Sequence, residues 1–183
     1  MRKLALFSFL VVLCFAVGQA AVPAHSYVGV KACTPCHKTE KQGKQVPIWQ
    51  ASQHAKAFQT LKTPEAQKVA EKAGVKGPAS ESEKCLKCHV AGAGLPAASF
   101  KPTFAKEDGV QCENCHGPGS DYKTMAVMKD RAKSVAAGLT LLSLKDGTAE
   151  KQCKTCHNQE SPTFEGFTFK EAWAKIAHPV PKP

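Results

Sequence analysis

Apolar positions along the chain come in short helix-period runs cut by glycine, proline and polar stretches, with one continuous apolar block at the beginning. That block, Leu4 to Val17, follows Arg2-Lys3 and precedes the small residues Gly18 and Ala20. This is the pattern of a secretory signal peptide over residues 1–20, cleaved after Ala20, and it falls short of the roughly 20 apolar residues a membrane span needs. Residues 21–183 then read as one domain. Trp49, Ala55, Phe58 and Leu61 predict a helix opened near Pro47 and running to about Leu61, with His54 on the side of Phe58. Thr63-Pro64-Glu65 predicts a capped helix that stops at Gly74. Between His89 and Val110, glycine and proline recur too often for regular structure. Ser120 or Asp121 predicts the cap of a helix through Ala137, closed by Gly138, burying Tyr122, Met125, Met128, Ala132 and Val135. Thr168 and Glu171 make a capping box for a last helix, which Pro179 terminates just after His178. The fold class predicted is mainly α, small and loop-rich.

Four short stretches change the picture. Cys33-Thr-Pro-Cys36-His37, Cys85-Leu-Lys-Cys88-His89, Cys112-Glu-Asn-Cys115-His116 and Cys153-Lys-Thr-Cys156-His157 all place two cysteines three apart and a histidine directly after. This is the attachment pattern of a c-type haem. Two thiols at that spacing add to the two vinyl groups of one porphyrin, and the adjacent imidazole swings under the iron. Eight of nine cysteines lie in these motifs, and the ninth, Cys14, falls in the segment to be removed. Zinc ribbons and redox dithiols also use paired cysteines, but neither needs histidine after every second one. Four covalently bound c-type haems are therefore expected, with the domain folded around them.

The formal charge of +10 would by itself suggest a nucleic-acid partner. Without Arg2 and Lys3 the chain keeps 23 basic against 15 acidic residues, a net of +8. The propionates of four haems cancel most of that, so the lysines read as a solvated surface that compensates the cofactors. No nucleic acid and no stable membrane insertion are expected. Redox proteins, steered by lysines around an exposed haem edge, are the expected partners.

Each iron takes a fifth ligand from its own motif: His37, His89, His116 and His157. The sixth ligands must come from elsewhere. The candidates are His25, His54 and His178, with Met125 and Met128 as softer alternatives whose ordinary role would be core packing. Four irons with two axial positions each outnumber the seven histidines, so at least one iron binds methionine, another weak ligand or nothing.

Three stretches resemble the tetrahaem cytochrome c-554 family: Trp49 to Ala57, with Ala-Lys-Ala following His54; Cys85 to Gly92; and Gly109 to Gly119, the most specific. The resemblance implies a compact helical fold with closely packed haems, three of them bis-histidine and the second, at His89, open on its distal face. It implies that His54 and His178 are distal ligands, and it puts Met125 where the family has a histidine. Ser161-Pro-Thr163-Phe164 would then lie over the open face. The family's C-terminal extension has no counterpart here. Its role is electron transfer, in the best-known member from a hydroxylamine-oxidising multihaem enzyme.

The expected function is that of a periplasmic or secreted electron carrier relaying single electrons between redox partners. The alternatives are an enzyme reducing a small nitrogen oxide at an open iron, or a subunit of a haem filament in which His25 reaches into a neighbour. No acid–base set is evident beside any motif, which sets the enzyme second.

Overall fold

A computed structural model describes residues 25–180. The expected signal peptide lies outside them. The described residues form ten short α-helices: α1 Val30–His37, α2 Gln45–Ala51, α3 Ala57–Thr60, α4 Pro64–Lys72, α5 Glu83–His89, α6 Cys112–His116, α7 Met125–Met128, α8 Arg131–Ala136, α9 Thr148–Lys154 and α10 Phe169–Ile176. Five single 3-10 turns connect them, and among the described residues the only β pairing is one isolated bridge between Tyr27 and Phe100. The mainly α expectation holds. None of these helices is long and apolar enough to cross a membrane.

Each haem motif lies in or at the end of a helix, because three-residue spacing brings two side chains to neighbouring positions on one helical turn. The long helices expected elsewhere are shorter. The run to Leu61 breaks at Ser52, whose backbone is extended and whose hydroxyl donates to the Trp49 carbonyl at 2.6 Å. His54 consequently opens a 3-10 turn rather than lying inside a helix. The helix expected through Ala137 divides into α7 and α8, because Asp130 accepts a hydrogen bond from the Lys133 amide and caps a new helix. Its expected stripe divides too: Tyr122 is buried, but Met125 is 62% and Val135 45% exposed. Thr63 caps α4 as expected, accepting from the Ala66 amide. The last helix ends at Ile176, so His178 sits beyond it, where the following Pro179 disfavours helical backbone.

Packing gathers in two places. Leu61, Ala70 and Ala79 form an apolar cluster with Ala66, Val75, Cys85 and Leu86, which seats the second motif. The second place is polar. Glu113, inside the third motif and only 2% exposed, accepts hydrogen bonds from the amides of Val28, Gly29 and Gly119 at 2.6–3.1 Å. Burial pushes its carboxyl above the usual range, against the pull of those three donors. Beside it Gln111 accepts from the Val30 amide at 2.7 Å and donates to the Ala105 carbonyl at 2.8 Å. The segment leading into α1 is thus fastened to the third motif through side chains. Replacing Glu113 by alanine leaves three buried amides without partners, at about 1–3 kcal/mol for each. The expected outcome is a loss of more than 2 kcal/mol, on the same scale, read as a fall in the thermal midpoint of the haem-loaded protein.

Candidate haem sites

The four motifs meet in an order the sequence does not announce. The thiol of Cys33 lies close to that of Cys112, so the first motif neighbours the third. The thiol of Cys88 lies close to that of Cys156, so the second neighbours the fourth. Cys115 lies near Cys153 and Cys156, and Gln152 of α9 donates to the Asn114 carbonyl at 2.7 Å, which joins the two pairs. Burial, with the neighbouring sulfurs, pushes the thiols of Cys88 and Cys115 up to about 11. All eight cysteines of the motifs are free.

The histidines pair across the chain. The rings of His54 and His157 have centroids 6.1 Å apart, and those of His116 and His178 5.9 Å apart. Two imidazoles on opposite sides of one metal, with bonds of about 2.0 Å and about 1.1 Å from nitrogen to ring centre, stand roughly 6 Å apart. Both pairs have that separation. Burial holds the pKa values of His54, His157 and His178 below the ordinary histidine value, with the neighbouring rings of His157 on His54 and of His116 on His178 adding to it. The neutral imidazole is the ligating form.

The positions of these rings follow from local structure. His54 is held because its carbonyl accepts the Val110 amide at 3.0 Å and Trp49 donates its indole N–H to the Val110 carbonyl at 2.7 Å. Gly109 stands at φ 71°, and a Cβ there would lie 2.7 Å from the His54 carbonyl oxygen, so only glycine lets the third motif's approach come this close. His178 is held from the opposite end of the chain, since Gln45 donates to the carbonyl of the next residue, Pro179, at 3.2 Å. His157 is stacked on Phe167 at 4.6 Å between centroids.

Two of the motif histidines are tied by the other ring nitrogen. Nδ1 of His89 bonds the Ala57 carbonyl at 2.7 Å, and Nδ1 of His116 bonds the Thr140 carbonyl at 3.0 Å. With Nδ1 donating, Nε2 keeps the lone pair that a metal would take. His37 differs: its Nδ1 is buried with no partner. Among the described residues no three His, Cys, Asp or Glu gather to hold a bare metal ion, so a zinc ribbon has no frame here. Paired rings with room between them and helix-borne thiols instead fit haem.

The family described as "Cytochrome c554 and c-prime" matches residues 32–117, and cytochrome c-554 of Nitrosomonas europaea is 31% identical over 163 residues, covering 81% of this chain. The chain is similar to the cytochrome c-554 family over most of its length. That likeness points to covalently bound c-type haem. The family match takes in the first three motifs of this cytochrome and ends before the fourth. The chain spans 65% of the length of the Nitrosomonas relative, a little under two thirds. No solved structure matches it.

Among the expected sixth ligands, the cytochrome thus brings His54 and His178 to partners. Met125 is a surface residue at the start of α7, and Met128 is half-buried at its end. His25 stands apart from both ring pairs, with Nδ1 2.6 Å from the carboxylate of Asp121. The carbonyls of Ala57 and Thr140 carry no sequence signal of their parts in these sites, and Glu113 carries one only in its place between the two cysteines of the third motif.

Proposed function

We propose that this cytochrome holds one haem at each of its four motifs and relays single electrons among them and between redox protein partners. The haem iron supplies the chemistry, accepting and returning one electron. In this reading Cys33, Cys36, Cys85, Cys88, Cys112, Cys115, Cys153 and Cys156 attach the cofactors and His37, His89, His116 and His157 are the fifth ligands. His54 pairs with His157 and His178 with His116 as sixth ligands. The observation that carries the reading is the closeness of thiols of different motifs, Cys33 to Cys112 and Cys88 to Cys156. Each such sulfur would bond the edge of its own porphyrin, so neighbouring sulfurs would bring two haem edges near one another. That is the arrangement electron relay needs, with Cys115 near Cys153 and Cys156 linking the pairs.

The apolar start of the sequence supports export to the periplasm or beyond, with residues 1–20 removed and residues 21–183 as the haem-bearing domain. The rest of the chain's work is positional. Lys87 of α5 is ion-paired with Glu160, just after the fourth motif, and so clamps the second pair on its outer side. Tested directly, the reduced protein should be reoxidised within seconds by multihaem or metal-complex acceptors, while nitrite, nitric oxide and hydroxylamine are turned over slowly. Sustained fast turnover of any of these three would replace the carrier by an enzyme.

A further inference from the structure

After His54 and His178 have found partners, His37 and His89 remain without a second ring, and His25 remains without an iron. His25 is nonetheless a placed residue. Its Nδ1 meets Asp121 Oδ2 at 2.6 Å, the next amide, of Ser26, donates to the Ser120 hydroxyl at 3.0 Å, and the Ser120 amide returns a bond to the Ser26 carbonyl at 3.1 Å. The same seam continues through Val28 and Gly29 into the Glu113 carboxylate and ends at Cys33 close to Cys112. On its other side the ring rests on Gly138, which stands at φ 100° and where a Cβ would come within 3.2 Å of Nε2. A histidine whose Nδ1 is held by a carboxylate has the orientation of a metal ligand, with Nε2 left bare.

The choice of iron follows from the two seams. His89 belongs with the fourth motif, through Cys88 close to Cys156 and through Ala57, three residues past His54. His25 belongs with the first and third motifs, and the third motif's histidine already faces His178. Resting on the four-haem reading above, we propose that His25 is the sixth ligand of the iron borne by His37, and that Asp121 is the residue that positions it. His25, held by Asp121, is the better placed of the two candidates, since Met125 stands exposed at the start of α7. All seven histidines then have a place, and the unmatched iron is the one at His89.

The test uses the full haem-loaded protein. Its mass after denaturation is measured first, because fewer than four haems overturns the four-haem reading and this one with it. With four present, low-temperature electron paramagnetic resonance of the oxidised protein should count three low-spin irons and one high-spin. His25→Ala should change that to two and two, and added imidazole should restore three and one; Met125→Ala should change nothing. Asp121→Asn should keep three low-spin irons but shift the signal and raise the potential of one haem, since the amide draws less density onto the ring than the carboxylate does. An unchanged spin count in His25→Ala, or a lost low-spin iron in Met125→Ala, overturns the ligand assignment. An Asp121→Asn protein with unaltered signal and potential overturns the positioning role.

Discussion

The full haem-loaded protein, denatured and weighed, should exceed its polypeptide mass by four haems, and replacing Cys153 and Cys156 together by serine should remove one of them. The chain made without haem should lack a cooperative thermal transition altogether. The physical reason is the poverty of the protein's own core. Among the described residues the buried apolar side chains larger than alanine are Val28, Val30, Val46, Val90, Phe58, Leu61 and Tyr122. At about 1.5–3 kcal/mol apiece these are too few to hold so many separate short helices in place. None of α1 to α10 exceeds nine residues, a length at which helices are not stable in isolation. The apolar surface that closes the balance has to be the porphyrins. A well-folded apoprotein with zinc in place of haem would contradict both the cofactor and the account of stability.

Replacing His54 or His178 by alanine should convert one low-spin iron to high spin in each case, and both together should convert two. Each variant should also add one carbon monoxide site to the reduced protein. The effect is expected to be complete rather than partial. His54 stands 6.1 Å from His157, and His178 5.9 Å from His116, so each variant removes the ring that faces its partner. Backbone contacts around His54 do not depend on its side chain, since the Val110 amide bonds its carbonyl, so the variant keeps the loop while losing the ligand. Unchanged spin states in both variants would return His54 to an ordinary half-buried position and His178 to an exposed one.

The motifs were legible in the sequence because attachment is a local demand: two thiols and one imidazole must sit on one helical turn, and spacing alone states it. The mainly helical class was legible for the same reason, as were the cap at Thr63 and the stop at Gly74. What joins to what was not. Helical periodicity ran on through Ser52 and Asp130, where a side chain bonding its own backbone ends one helix or starts the next. The methionines at helical spacing read as a buried stripe, but with α7 cut short Met125 turns to the surface. His178 looked like a helix end and proved to be a tail residue, fixed by Gln45 from far upstream. Asp121 read only as a helix cap, and its tie to His25 carried no signal, because it depends on a histidine 96 residues away.

The alternation of the neighbouring motifs, first with third and second with fourth, bears on how the protein can be made. A chain crossing a membrane from its N-terminus presents Cys33 long before Cys112, and Cys88 long before Cys156. Neither pair can close while the chain is only half delivered, and the loops that must close are long. An exported chain of this design therefore keeps its early motifs open and accessible until their partner motifs have arrived. That interval is when cysteines on exposed, unpaired turns can be modified one after another; folding then works as the lock that follows the fitting of the cofactors.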